Sequence, residues 1–281
     1  MKLSIFPKYG ALNSVPVFES FVAGARSLGH KVVEHDLDAD IYVIWSVLWH
    51  GRMKANQEIW KKAKDEGIPV IILEVGGLRR GVTWRMGLNH INASGTFCKK
   101  INYDLNRPQK LGIFLREKAV QGNNILICGQ HSKSEQWIHR PRPEIWLKNL
   151  VTEIKTHTNR KIIFRPHPRD TDWCKILPNL GLEVSLPQKI SNSYDDFNHE
   201  DDFGDAWCVI NPCSNTGIQA AIAGLPIFVE KDSLAFDVSN KDYSNLENPQ
   251  IFDRQDWLIK VCHTEWTLEE LTSGVALGNL V

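Results

Sequence analysis

VINPCSNTGIQAAIAGLPIFV, residues 209–229, decides the fold. Val209 to Pro212 reads as the end of a buried strand and Ser214 to Thr216 as a turn of small polar residues. Gly217 to Ala223 reads as a helix that stops at Gly224, and Pro226 to Val229 as a second strand. A small-residue turn opening a helix leaves backbone N–H groups free and aims the helix dipole at whatever occupies the turn, so it is a ready anion site, usually for phosphate. The helix carries no bulky residue and can lie close to a sheet or a ligand.

Working outward, about 45 residues upstream the strand Lys161 to Phe164 ends in Arg165, Pro166, His167, Pro168 and Arg169, a cationic tip whose course two prolines fix. Two strand ends with phosphate-suited groups in one α/β unit point to a diphosphate crevice. The strand Asn124 to Cys128, its loop Gly129, Gln130, His131 and Ser132, and the helix Pro143 to Thr156 complete this part.

The ordered pair "strand, RPHPR" and "strand, NPCSNTGIQAAIAGLPIF" resembles the C-terminal half of the GT-B glycosyltransferases of the capsule and teichoic-acid type, over roughly residues 120–230. The resemblance implies two Rossmann-like α/β/α domains facing across a cleft, with a nucleotide-sugar donor, a UDP-sugar as the first expectation, held on the second. It implies Arg165 and His167 as donor-phosphate contacts, with Arg169 beside them, and Ser214, Asn215 and Thr216 as the phosphate turn. Gly129, Gln130 and His131 are implied as the first loop of the nucleotide domain. Asn215 departs from the family's Ser-Ser turn. Gly10, Asn13 and Ser14 follow the first strand, where a two-lobed transferase would close over its ligands; a simple capped turn explains them equally. No metal is strictly required by this reading.

Length, 281 residues, and an ordinary composition fit a globular α/β enzyme, with 42% hydrophobic and 23% charged residues. The expected division is an acceptor domain over 1–118, a donor domain over 119–255 and a terminal helix over 256–281 that packs back on the first domain. Six cysteines without CxxC or zinc spacing read as buried thiols of a reducing, cytoplasmic setting. Neither a signal peptide nor a run of about 18 apolar residues is visible, so membrane insertion is not expected. The sequence does not state an oligomeric order.

A formal net charge of zero conceals a division along the chain. Residues 1–118 hold 18 basic against 11 acidic residues and residues 119–281 hold 15 against 22, with nine basic residues between Arg79 and Lys118. A solvated or interdomain face accounts for this, and so does a polyanionic partner on the first domain. The second reading makes double-stranded DNA a partner and a 5-hydroxymethylated pyrimidine, presented outside the stack, the acceptor. A soluble transferase for a surface polysaccharide or its lipid-linked precursor, and a non-catalytic nucleotide or nucleic-acid binding protein, are the alternatives.

In the first domain, strands Lys2 to Phe6, Lys31 to Glu34 and Asp40 to Trp45 alternate with a helix from Val15 to Leu28. No GxGxxG supports a dinucleotide site. A helix over 52–66 precedes the strand Pro69 to Leu73, which runs into Glu74, Val75, Gly76 and Gly77. A carboxylate at the C-terminal end of an apolar strand is placed to take the acceptor's proton, which makes Glu74 the leading general base. Residues 77–95, GLRRGVTWRMGLNHINASG, show no clean period and read as a binding loop. There Arg79, Arg80 and Arg85 would meet the acceptor, Trp84 would stack on a base or sugar face, and His90 would donate to the acceptor or replace Glu74 as base. A Glu74 paired with Arg79 or Arg80, and a His90 satisfied by loop carbonyls, are the structural alternatives. The stretch from Asp256 to Glu270 reads as the last helical portion.

Overall fold

A computed structural model describes residues 1–99, 103–117, 122–170, 180–191, 196–198 and 200–281; it says nothing of the side chains of Glu200 and Asp201. Residues 118–124, which read in the sequence as an interdomain linker, lie partly outside these residues, and Cys174 lies outside them. The chain divides into two compact units, Met1–Gly112 with Ile259–Val281, and Ile113–Leu258.

The first unit is built on six strands: β1 (Lys2–Ile5), β2 (Lys31–Glu34), β3 (Ile41–Trp45), β4 (Val70–Val75), β5 (Thr83–Leu88) and β11 (Glu265–Thr267), in the order β11-β5-β4-β3-β1-β2. β2, β1, β3 and β4 are parallel, while β5 runs antiparallel to β4 and to β11. β3, IYVIW, is buried along its length because both of its faces are covered. Ile41, Val43 and Trp45 face a core shared with Phe18 and Phe21 of helix α1 (Val15–Ser27), Leu271 of α8 (Leu268–Thr272) and Leu277 of α9 (Val275–Leu280). Tyr42 and Ile44 face the other core, with Trp60 and Ala63 of α2 (Asn56–Glu66). A short α3 (Arg107–Lys110) lies outside these layers in sequence, and Arg107 is buried. α2 ends at Gly67 with φ +68°, the left-handed turn that glycine adopts without a Cβ clash.

The second unit is a parallel five-stranded sheet of β6 (Asn124–Cys128), β7 (Ile162–Arg165), β8 (Glu183–Val184), β9 (Ala206–Asn211) and β10 (Ile227–Val229), in the order β10-β9-β6-β7-β8. One face packs Ile125, Ile127, Phe164, Cys208 and Ile210 against Leu147, Leu150, Val151 and Ile154 of α4 (Pro143–His157). Among the described residues the remaining α-helices are α5 (Glu200–Gly204), α6 (Asn215–Ile222) and α7 (Gln255–Cys262).

Three readings of the sequence are corrected. Asn215 and Thr216 are the first helical residues of α6, so the turn is shorter than expected. Residues 83–88 are a strand inside a sheet and not part of a binding loop. The helix expected from Asp256 to Glu270 stops at Cys262 and gives way to β11.

Candidate functional site

In the second unit the chain passes from β6 to β7 and β8 on one side, and β9 and β10 lie on the other. The strand order therefore reverses between β6 and β9. Open parallel sheets bind ligands beyond the C-terminal ends of the strands at such a point. Gly129, Gln130 and His131 follow β6, and Asn211, Pro212, Cys213 and Ser214 end β9 and lead to α6.

Contacts tie these loops together. The amide oxygen of Gln130 stands 3.3 Å from Cys213 Sγ, and its Nε2 donates to Gln136 Oε1 at 2.7 Å. The loop after β7 joins through two rings, since the centroids of His131 and His167 are 5.1 Å apart. Asp170, buried, accepts from the Ser132 N–H at 2.7 Å and lies 3.5 Å from His131 Nδ1. His167 Nδ1 accepts from the Arg169 N–H at 3.2 Å, so Nε2 is the donor nitrogen of the ring. Gly129 fits under Phe164, whose ring edge would stand 3.0 Å from an added Cβ.

The decisive feature is at the start of α6. Ser214 is its N-cap, yet its hydroxyl makes no cap bond, and its Oγ is buried without a partner. Asn211, 1% exposed, has neither its amide oxygen nor its amide nitrogen hydrogen-bonded. Buried polar groups are nearly always paired, and an unpaired one costs about 1–3 kcal/mol. Gly217 in the first turn leaves room for Asn211, because a Cβ there would fall 2.9 Å from Asn211 Nδ2. Two orphaned side chains therefore meet a helix N-terminus whose first N–H groups have no intrahelical acceptor. The arrangement can hold an anion that accepts from a helix terminus and an amide.

In the first unit, Glu74 is on β4 opposite Arg85 of β5. Burial pushes its carboxyl above the usual glutamate range, although the Ser46 hydroxyl, the Val75 N–H, Arg80 and Arg85 all favour its anion. The Val75 N–H donates to it at 2.8 Å. Ser46 follows β3 with φ +63°, a strained conformation for a residue with a Cβ. The glycines after Glu74 have a packing role: a Cβ on Gly76 would fall 2.1 Å from Thr83 O, and the Gly77 N–H donates to Glu265 at 2.7 Å. At the loop after β1, Gly10 leaves no space for a Cβ beside Ser14 Oγ, and Asn13 keeps a buried Oδ1 without a partner.

No family model and no curated protein matches the sequence. Solved structures share the fold, among them two from one organism. The Thermosulfurimonas dismutans KpsC β-Kdo 2,7 transferase superposes with a TM-score of 0.57 at 15% identity, over 99% of this chain and 100% of that one. The β-Kdo 2,4 transferase of the same KpsC gives 0.54 at 10% identity, over 97% and 98%. The fold is that of the GT-B glycosyltransferases.

Within this GT-B fold the structure gathers some of the residues expected from the sequence and separates others. Gln130, His131, His167 and Ser214 lie on the three loops beyond β6, β7 and β9, with Asn215 and Thr216 opening α6 and Arg169 exposed beside His167. Arg165 is corrected: 4% exposed, it pairs with Asp202 and donates from Nη2 to Asn198 O at 2.5 Å, so its charge is spent inside the unit.

The acceptor set is corrected as well. Trp84 is 5% exposed and packs on Trp45 with ring centroids 6.0 Å apart, so no face is offered to a base. Arg85 is buried on Glu265 at 2.7 Å. Arg79 is exposed but donates to Leu111 O at 3.0 Å, and Arg80 is half-buried with its charge beside Glu74. His90 cannot stand in for Glu74. Leu88 pairs with Ile71 and Arg85 with Glu74, so His90 follows at the opposite end of β4, edge-on to Trp60.

Reasoning from sequence missed Asn211, Asp170, Ser46 and Glu265. Asn211 had a signal, an amide ending an apolar strand next to the turn. Glu265 had none, since its partners lie about 180 residues away. Among the described residues no three His, Cys, Asp or Glu side chains gather as metal ligands would. Cys128, Cys208, Cys213 and Cys262 are buried, which drives Cys128 and Cys213 up to about 12.

Proposed function

We propose that the chain is a glycosyltransferase that binds a nucleotide-sugar donor at the β6/β9 switch point of its second unit and moves the sugar to a glycan hydroxyl. The observation that carries this is the pair of orphaned side chains, Asn211 and Ser214, at the N-terminus of α6. A donor phosphate would accept from Asn211 Nδ2, from Ser214 Oγ and from the first N–H groups of α6, which supplies the missing partners. His167, donating from Nε2, and His131 are assigned to the same diphosphate, and the Gln130 loop to the nucleoside. The fold likeness to structures named β-Kdo transferases supports sugar transfer as the reaction class.

Glu74 is assigned as the base. An attacking hydroxyl must lose its proton, and a carboxyl raised by burial is better matched to that task near neutral pH than an ordinary glutamate. A glycan acceptor is favoured over a hydroxymethylated base in DNA because Trp84 and Arg85, two of the four residues the DNA reading needs, are core residues.

The test is a panel of UDP-, GDP- and CMP-activated sugars, Kdo among them, offered with hydroxymethylated DNA and with soluble glycan acceptors. Donor hydrolysis with one nucleotide class and label in a glycan are expected. Label in the DNA alone would overturn the acceptor assignment, and hydrolysis of no donor would overturn the transferase reading.

A further inference from the structure

Four side chains in the first unit form one row across neighbouring strands. The register sets Trp45 of β3 opposite Leu73, so Ser46 continues beside Glu74; Glu74 faces Arg85 of β5, and Arg85 faces Glu265 of β11. One guanidinium thus stands between two carboxyls. It is not shared evenly. Arg85 Nη2 donates to Glu265 at 2.7 Å, and its Nε has no partner. Glu265, fully buried, also accepts from the Gly77 N–H at 2.7 Å, the Leu78 N–H at 3.1 Å and the Thr83 hydroxyl at 2.7 Å.

Four donors on two oxygens make Glu265 the stronger claimant for Arg85. Glu74 receives the Ser46 hydroxyl and the Val75 N–H, with Arg80 and Arg85 acting on it as nearby charges. These groups come from the loop after β3, from β4 itself, from the turn after β4 and from β5. We propose that Glu265 is a positioning residue for Glu74: by holding Arg85 on its own carboxylate it keeps the guanidinium from pairing with Glu74, and so leaves Glu74 able to take up a proton. The inference rests on Glu74 as the base only where activity is the readout.

Glu265→Gln tests it. The amide keeps the shape and an acceptor but removes the charge that holds Arg85, so the guanidinium is expected to turn to Glu74. A cation in direct contact lowers a carboxyl by about 1–3 pH units. The acid limb of kcat/KM is therefore expected to move down by about one pH unit or more, with donor affinity unchanged. The protonated-carboxyl infrared band that Glu74→Gln removes should titrate downward by the same amount. An infrared band that does not move in the folded variant overturns the proposal.

If the band moves while Glu74→Gln leaves turnover intact, the row is as described and the assignment of the base is what fails. Should Glu265→Gln not fold, the wild-type band decides. Titration above the ordinary glutamate value of about 4.3 supports the proposal, and titration at or below it overturns the proposal.

Discussion

Glu74 and Arg165 show how little a residue's type says about its work. Both are charged residues at the C-terminal ends of parallel strands, and both were natural candidates for chemistry. Arg165 is closed off by Asp202 and Asn198, whereas Glu74 keeps a carboxyl raised by burial. Glu74→Gln is expected to keep donor affinity and to lower turnover by about 10²-fold or more, read by steady-state kinetics beside calorimetry. A base must be ionised to act, and this carboxyl ionises above the usual range. Activity is therefore expected to rise with pH through a limb displaced upward from that of an ordinary glutamate; a limb in the ordinary range would remove Glu74 from the role. His167→Ala is expected to weaken nucleotide binding by about 1–3 kcal/mol. Arg165→Ala should lower stability while any folded fraction binds normally, and the reverse pattern would return Arg165 to the site.

At the scale of elements, what could be read in the sequence depended on where the partner of each residue lies. The strands β3, β4, β6 and β9 are apolar runs bounded by turn residues, and they were legible because burial on both faces demands such runs. β5 was not. Arg85 and Gly87 interrupt TWRMGL, and an arginine is tolerated there because Glu265 arrives from the far end of the chain. The same fact hid β11 inside an expected helix. In the proposed donor site the turn after β9 stood out in the sequence, but Asn211, the residue that carries the proposal, read only as the end of a strand. Gly217 gives that turn its shape. Gly217→Ala should push on Asn211 and on Val229, 3.0 Å away, and lower nucleotide affinity more than Ser214→Ala does. Calorimetry that ranks the two variants the other way would mean that Asn211 does not face the phosphate.

For the whole molecule, the consequence of the chain's path is that residues 259–281 belong to the unit built by residues 1–112. Trp266 is 1% exposed in the core that holds Phe18, Trp45 and Trp84, and the guanidinium of Arg107 lies 4.3 Å from its ring centroid. Arg107 also pairs with Glu270 and donates from Nε to Cys262 O at 2.6 Å, so the returning segment is held by polar contacts as well as by burial. Trp266→Ala is expected to cost about 3–5 kcal/mol in denaturant unfolding. A loss under about 1 kcal/mol would show that the first unit does not depend on its C-terminal strand.

The central claim is that a nucleotide sugar is held where α6 begins. Isothermal titration of the panel's best donor into the wild-type chain and into Asn211→Ala tests it most directly. One bound nucleotide sugar per chain is expected, with affinity reduced in the variant by about 5- to 150-fold, the scale of about 1–3 kcal/mol for a buried hydrogen-bonding group. An affinity unchanged in a folded Asn211→Ala chain would contradict the account.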